Sequence, residues 1–395
     1  MTRNPASRAW RDPLIPAYLA IAATGMYLTS FGPSIPFVAN DLGVSKATAG
    51  LLITALFLGS IAASAVVTWR FHESDQRRLA SAGVVALAVG GVAMGVSPWW
   101  PVALGSCVLL GAGDGLLVTA AHVLVAGQSP DIPRDMSRLN VSFALGAVIG
   151  PLWTGFALEA WASRPVVYLV LVAFSAPTAF LLLRNRPPPP LYHDHEARGA
   201  GLDLVAVLLG CTILLYVGAE AGLGAWVSSY TEETFGSGVL AGAIVTSGFW
   251  GALGLGRLGS AWALQRGWNP WPLLLGAIAW AGTAATALAL SGGSFAAGAV
   301  AAFATGLGLG PIWPSCFGIA AEGRQPRVTA MLVTLGSVGG VVLPFSQGLL
   351  IKATGPHTGI GLTATLCLAM LLLALGARSR SRPRRARPIV VALRE

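Results

Sequence analysis

Two acidic residues lie deep inside long apolar runs of the sequence. Glu220 lies well inside the run that opens at Leu204, and Asp114 lies 13 residues into a run of 26. A charge at the centre of a bilayer costs at least about 2.5–3.5 kcal/mol, so it faces protein or water and marks a functional site by default. A carboxylate shielded from water also holds a proton more readily. We therefore predict that Glu220 and Asp114 bind and release protons.

A histidine follows Asp114 in the same run. On an α-helix, Asp114 and His122 are about 80° apart around the axis and about two turns apart along it, so they share a broad face. Because an imidazole titrates near neutral pH, His122 is a candidate proton relay. The alternatives are structural: Asp114 bonds to neighbouring hydroxyl or amide groups, and Glu220 pairs with a hydroxyl or a cation, for packing alone.

Further candidate residues lie on the same kind of run. Arg257, in Gly256-Arg257-Leu258, is a candidate gate or interface residue, and the alternative is that its long side chain reaches the lipid headgroups. The sequence Pro311-Ile312-Trp313-Pro314 predicts a kink that frees backbone carbonyls. The residues predicted to line a cavity for a small, ring-shaped solute are Tyr216, Trp226, Trp313, Asn140 and Thr119. Plain packing is the alternative for the aromatic ones.

The composition indicates the class of protein that holds these residues. The chain has 395 residues, of which 54% are hydrophobic and 10% are charged, against about 25% charged in soluble domains. This predicts an all-α membrane protein embedded in the lipid bilayer. The net charge of +9 comes from short loops and a basic tail, which fits topology and anionic lipid better than nucleic acid.

The sequence lacks the motifs of several other kinds of chemistry. The four cysteines are isolated within apolar runs, so no disulfide or zinc pattern arises. Gly111-x-Gly113-x-Gly115 lies within an apolar run and lacks the strand, turn and lysine of nucleotide-binding loops. We therefore expect no enzyme activity, no metal, no cofactor and no ATP-driven pumping.

Apolar runs of at least 18 residues predict twelve transmembrane helices. Their approximate ranges, numbered as spans 1 to 12, are 13–37, 47–69, 79–98, 101–126, 139–161, 165–183, 204–228, 239–263, 271–290, 294–320, 328–351 and 358–377. An even number places both termini on one side. Counting Arg257 at the end of span 8, 22 of the 25 lysine and arginine residues lie on that side. The positive-inside rule makes that side cytoplasmic. We expect the membrane to be the cytoplasmic (inner) one.

The chain divides into two similar halves. Four consecutive prolines, Pro187 to Pro190, interrupt it, and this predicts an N-terminal bundle (1–184), a linker (185–203), a C-terminal bundle (204–380) and a basic tail (381–395). His193-Asp194-His195 in the linker has too few ligands for a zinc site. Spans 2, 4 and 5 share glycine-containing patterns with spans 8, 10 and 11, at offsets of 190 to 195 residues. Two parallel six-helix repeats with a site between them indicate a transporter.

These patterns resemble the major facilitator superfamily over essentially the whole chain. Tyr216-Val217-Gly218-Ala219-Glu220, with Trp226, Tyr230, Gly256-Arg257-Leu258 and Pro311-x-x-Pro314, is similar to the fucose:proton symporter-like branch. The resemblance implies alternating access, proton coupling and sugar-like substrates. In span 4, the acid of that branch is replaced by Val118, and the asparagine by His122. Gly146-x3-Gly150-Pro151-x3-Gly155 resembles instead the antiporter motif of drug exporters, so the direction of transport stays open.

Taken together, the sequence predicts a monomeric transporter that moves a small, sugar-like organic solute with protons across the cytoplasmic membrane. The proton gradient drives it without a cofactor. One alternative is a proton-antiport exporter of a drug or natural product. A second alternative, from another class, is a transporter-like membrane sensor that binds its ligand without moving it.

Overall fold

The computed structural model describes residues 14–70, 74–129, 131–184, 202–321 and 326–381. Most of the predicted linker, including His193-Asp194-His195, and all but Ser381 of the predicted basic tail lie outside these residues. Within the described parts, the regular structure is entirely helical. The all-α prediction is therefore confirmed.

The twelve predicted spans are present as helices, two of them broken. Their bounds are Ile15–Asp41, Lys46–Ala49 with Leu51–Arg70, Gln76–Val96, Trp100–Gln128, Ile132–Trp161, Arg164–Arg184, Leu204–Phe235, Val239–Gln265, Pro270–Ala289, Phe295–Leu309 with Ile312–Ala321, Pro326–Thr354 and Pro356–Arg380. Within the described residues, eleven helical segments are long and apolar enough to cross a membrane. Span 1 is not among those eleven, although it has 27 residues and most of them are buried.

The break in span 10 coincides with its predicted kink. Helix Phe295–Leu309 ends before Gly310, and a new helix begins at Ile312. Pro311 cannot donate a backbone hydrogen bond, so the helical bonding is interrupted there although Gly310 keeps a helical conformation. Pro314 falls in the first turn of the new helix, where no backbone donor is needed.

The two halves repeat one packing scheme. In the first half, span 1 packs against spans 5 and 6, span 2 against span 4, and span 3 against spans 4 and 6. In the second half, span 7 packs against spans 11 and 12, span 8 against span 10, and span 9 against spans 10 and 12. Each pair in one half has its counterpart six spans later. The internal sequence repeat therefore corresponds to a structural repeat.

Contacts between the halves join spans 1, 2 and 5 to spans 7, 11 and 8. Thr54 Oγ1 donates to the Val341 carbonyl at 2.8 Å, and Ser247 Oγ donates to the Val148 carbonyl at 2.9 Å. At the helix ends, Lys46 Nζ lies 2.6 Å from Glu233 Oε1. These contacts run from the middle of the spans to the face opposite the termini. The two halves therefore touch each other on that face.

Candidate functional site

Glu220 is paired with Arg257 inside the second half. Arg257 Nη2 donates to Glu220 Oε1 at 2.8 Å and to Tyr216 Oη at 3.0 Å. The side chains of Glu220 and Arg257 are 11% and 25% exposed. An acid, a guanidinium and a phenol thus meet in the protein interior.

Helix geometry brings these three groups together. Tyr216 and Glu220 are four residues apart on span 7, so they lie on one face. Span 8 can approach that face because Gly224, one turn further along span 7, lies under the indole of Trp250. A Cβ atom at Gly224 would lie 2.5 Å from Trp250 Cζ2. Two adjacent layers therefore join the helices: Glu220 with Arg257, and Gly224 with Trp250.

Aromatic rings from span 10 continue the site. The Tyr216 and Trp313 ring centroids are 6.2 Å apart, and Trp313 stacks on Phe317 at 4.4 Å. Tyr216 is fully buried, whereas Trp313 is half-buried. Tyr216 and Trp313, both predicted to line a cavity, are thus brought together beside the ion pair. Their role in binding a solute stays a prediction.

Trp226 lies away from this cluster, at the contact between the halves. Its Nε1 donates to the Pro344 carbonyl at 2.8 Å, and the residue is 1% exposed. Its ring fills the space beside Gly50 and Gly348. In this structure Trp226 is therefore enclosed between spans of both halves, and it does not form an open wall.

Asp114 forms a second polar centre in the first half. Ser60 Oγ donates to Asp114 Oδ2 at 2.6 Å, which joins span 2 to span 4. Farther along the same helices, Thr119 Oγ1 donates to Ser64 Oγ at 3.2 Å. Ser64 Oγ in turn donates to the Gly115 carbonyl at 3.2 Å. Asp114 and Thr119 therefore belong to one polar seam between spans 2 and 4.

His122 and Asn140 lie outside these clusters. Both are exposed, and His122 Nδ1 contacts the Val118 carbonyl of its own helix at 2.7 Å. Among the hydrogen bonds of the described residues, none joins His122 to Asp114. The shared helix face predicted for the two therefore does not bring them into contact, and a relay through His122 stays a prediction.

Both carboxylates have partners, as the structural alternatives required. Glu220 has a cation, and Asp114 has a hydroxyl group. The alternative in which Arg257 extends to the headgroups is wrong, because its guanidinium is bonded within the protein. Roles of these residues as proton carriers or gate are predictions that the geometry alone does not test.

Sequence reasoning missed the pairing of Glu220 with Arg257 and the contribution of Ser60. The first had a signal: a basic and an acidic side chain within neighbouring apolar spans stabilise each other by pairing. The signal for Ser60 was weaker: its backbone packs against Gly115, the residue after Asp114, where spans 2 and 4 are in close contact. Within the described residues, no cluster of three or more metal-binding side chains is present.

Known proteins share this sequence pattern and this fold. Residues 17–323 match the Major Facilitator Superfamily. The chain is 23% identical over 232 residues to the uncharacterized MFS-type transporter YcnB of Bacillus subtilis (strain 168), covering 57% of this chain and 47% of that protein. It is 27% identical over 188 residues to the multidrug resistance protein MdtG of Yersinia enterocolitica, covering 45% and 44%. The chain thus spans about half the length of these two relatives.

Solved structures give the same result for the fold. A bacterial homolog of the human lysosomal transporter Spinster, in an inward-facing and occupied conformation, superposes with a TM-score of 0.74 at 16% identity, covering 94% of this chain and 98% of that one. A D-xylose-proton symporter superposes with a TM-score of 0.76 at 13% identity, covering 92% and 96%. The packing of two six-helix halves is therefore that of known transporters. The chain belongs to the Major Facilitator Superfamily, whose members are multi-pass membrane transporters and not enzymes.

Proposed function

We propose that this protein is a proton-coupled secondary transporter of a small, sugar-like organic solute. It works as a monomer in the cytoplasmic membrane, with both termini in the cytoplasm, and it uses the proton gradient without a cofactor. The two halves rock against each other so that a site between them opens to one face at a time. Contact of the halves on the face opposite the termini supports this motion.

The observation that carries the proposal is the Glu220–Arg257 pair. Breaking an ion pair within the membrane is unfavourable, because it leaves an unpaired charge in a medium of low dielectric. A proton on Glu220 removes that charge and releases the guanidinium. Protonation of Glu220 therefore switches Arg257 between a protein partner and a solute.

Asp114 is the second proposed proton site. It lies in the first half, whereas the Glu220–Arg257 pair lies in the second. Each half of the transporter thus carries one carboxylate in the middle of a span. His122, exposed nearer the end of span 4, is proposed to pass protons between Asp114 and water.

The sugar-like solute rests on two observations. The aromatic rings of Tyr216 and Trp313 lie beside the ion pair, and a flat aromatic face suits a sugar ring. One structural neighbour is a D-xylose-proton symporter. Asn140, Thr119 and Trp226 are proposed to join this site in another conformation of the transport cycle, and Arg257 is proposed to act as its gate.

A specific observation also favours a second function, proton-driven export of a drug or natural product. Two relatives are multidrug resistance proteins named MdtG, and the one from Klebsiella pneumoniae is 26% identical over 280 residues, covering 63% of this chain and 66% of that protein. In span 5, a Cβ atom at Gly146 or Gly150 would overlap the backbone of span 1. The residues of the exporter-like motif thus form a close helix contact.

Ligand binding separates a sugar-like from a drug-like solute, and counterflow separates a transporter from a membrane sensor. Purified protein is screened by thermal shift against monosaccharides, sugar acids and amphipathic antibiotics, since a ligand at 100 times its dissociation constant adds about 2.7 kcal/mol of stability. Proteoliposomes loaded with the stabilising compound are then tested for uptake of labelled compound. A transporter shows counterflow. Stabilisation without counterflow indicates a membrane sensor and contradicts the proposal.

A further inference from the structure

The guanidinium of Arg257 uses only part of its hydrogen-bonding capacity. Both of its side-chain bonds, to Glu220 and Tyr216, start from Nη2. Its Nε is buried, and within the described residues it has no hydrogen-bond partner. A guanidinium carries five N–H donors in a planar fork that matches a carboxylate. Arg257 therefore holds an unused donor beside the one that binds Glu220.

A second buried donor without a partner lies on the same face of span 8. Trp250 Nε1 has no acceptor among the described residues. Trp250 and Arg257 are seven residues apart, which places them on one helix face about 10.5 Å apart along the axis. Buried polar groups without protein partners are uncommon, and a bound water, ion or ligand can satisfy them.

Charge balance links this face to the proton. With Glu220 ionised, the pair has no net charge. Protonation of Glu220 leaves Arg257 as an uncompensated cation in the interior, which is costly unless an anion replaces the carboxylate. From these contacts we infer that the solute is an organic anion whose carboxylate binds Arg257 when Glu220 takes up a proton. This inference rests on the proposed function and names the class of its substrate.

The surroundings indicate the chemical character of this anion. Tyr216 and Trp313 supply aromatic surface beside the guanidinium, and Trp250 supplies a donor two turns away. A carboxylate on a body with hydroxyl groups, such as a sugar acid, fits these three features. A neutral sugar satisfies the aromatic rings and Trp250 but leaves the charge of Arg257 unbalanced.

The step itself moves only a proton. The Glu220 carboxylate gains it and becomes a neutral acid, while Arg257 remains protonated and exchanges one carboxylate for another. Glu220 and Asp114 bind the same proton at different stages of this cycle, so one proton and one monoanion cross together and the cycle carries no net charge. Release reverses these events: the anion leaves, Glu220 loses its proton, and the ion pair re-forms.

Few other charged or titratable groups face this centre. Span 7 contributes Glu220 and Tyr216, and span 8 contributes Arg257. Span 10 contributes the neutral ring of Trp313 against Tyr216. From span 11, neutral Gln347 packs against Gly222, which lies about 200° around the helix axis from Glu220 and therefore faces away from this centre. The pH dependence of anion binding is therefore assigned to Glu220.

The test uses pairs of compounds that differ in charge. Purified full-length protein is studied by thermal shift with glucuronate and glucose, gluconate and sorbitol, and lactate and propane-1,2-diol, at mildly acidic and at neutral pH. We expect stabilisation by at least one carboxylate and not by its neutral partner, and stronger binding at acidic pH. Glu220→Gln is expected to bind that carboxylate equally at both pH values.

Two arginine variants sharpen the test. Arg257→Lys keeps the charge but loses the fork, and we expect at least about tenfold weaker binding of the carboxylate, because bidentate guanidinium bonds are the strong ones. Arg266→Gln removes a positive charge at the end of the same helix, where Arg266 lies over the Trp262 ring, and binding is expected to be unchanged. Equal loss in both variants contradicts a specific role of Arg257.

Uptake by proteoliposomes separates this inference from the proposed function. A carboxylate that accumulates with a pH gradient, and is insensitive to a membrane potential set by valinomycin and potassium, supports both. If a neutral compound accumulates with protons and no carboxylate binds, the inference of an anionic solute is wrong, while the proposed function stands. A carboxylate that is transported without proton movement supports the anion and contradicts proton coupling.

Discussion

At the scale of single residues, the Glu220–Arg257 pair has a structural role and a proposed mechanistic one. The pair joins spans 7 and 8 across 2.8 Å and neutralises two charges within the membrane. In the proposed mechanism, the same neutralisation makes the pair sensitive to protons, because only the ionised acid holds the arginine. A residue pair that stabilises one state of the site can therefore also control the change to the next state.

Removing one partner of this pair is predicted to be worse than removing both. Arg257→Gln leaves the Glu220 charge unpaired and should lower the free energy of unfolding by about 3 kcal/mol, at the low end for buried pairs because Arg257 is one-quarter exposed. Adding Glu220→Gln should restore most of this loss. Denaturant unfolding in detergent micelles measures both. An additive loss in the double variant contradicts direct pairing.

Asp114 offers a separate prediction about proton transfer. In Asp114→Asn, the amide oxygen can still accept from Ser60, so the free energy of unfolding should change by only about 1 kcal/mol. Solute accumulation driven by a pH gradient should nevertheless be lost, because an amide does not bind and release protons.

Asp75→Asn is the matched control for Asp114→Asn. Asp75 caps the start of span 3 by accepting from Arg77 N at 3.1 Å, and asparagine caps equally well. Accumulation by this variant should match the unchanged protein. If Asp114→Asn also accumulates normally, Asp114 is a packing residue.

The candidate residues were predictable from the sequence, whereas their partners were only partly so. An acid within an apolar run is visible directly, as Glu220 and Asp114 show. Which hydroxyl or cation meets it depends on how two helices rotate against each other, and sequence spacing along one helix does not give that rotation. Asp114 and His122 illustrate this limit, because spacing places them on one broad face and the structure keeps them apart.

At the scale of helices, glycines set the distances between spans 2 and 4. A Cβ atom at Gly111 would overlap the Leu56 carbonyl, and one at Gly115 would overlap the Ser60 carbonyl. Such close approach is typical of membrane helices, whose association depends on backbone contact and packing. It is also what brings Ser60 within reach of Asp114.

A pair of glycines in span 4 tests this packing. Gly111→Ala must push spans 2 and 4 apart and should lower the free energy of unfolding by about 1–3 kcal/mol, as other overpacked interiors do. Gly105→Ala is the matched control, since a Cβ atom there meets nothing within 4 Å. Thermal unfolding in detergent compares the two. Equal stability of both variants contradicts the close contact.

The helices themselves followed closely from apolar length and breaks. Every predicted span is present, and the kink at Pro311 appears as a break in span 10. Span 1 shows where composition alone is a weak guide: it is not among the eleven described segments that are apolar enough to cross a membrane, yet it is mostly buried. Its residues face neighbouring helices, so lipid places fewer demands on their polarity.

At the scale of the whole molecule, the two halves share one packing scheme and touch on the face opposite the termini. The repeat could be predicted because the halves keep similar glycine patterns at a nearly constant offset. The conformation could not, since one sequence must encode both arrangements of the two halves. Lys46 and Glu233, 2.6 Å apart across the halves, join in this arrangement.

The orientation in the membrane is predicted from the 22 of 25 basic residues on the terminal side. A green fluorescent protein fused after Glu395 should therefore be fluorescent in bacteria, and alkaline phosphatase fused there should be inactive. Both reporters fused in the loop after Trp161 should give the opposite result. Active phosphatase at the C-terminus would reverse the proposed topology.

Proton movement tests the central role of Glu220 most directly. Proteoliposomes that contain a pH-sensitive dye are given a gradient of a solute identified by the thermal-shift screen, and the internal pH is followed. The unchanged protein should shift the internal pH as the solute crosses, whereas Glu220→Gln should exchange labelled solute without any pH shift. A pH shift of the same size in Glu220→Gln would show that the proton travels elsewhere.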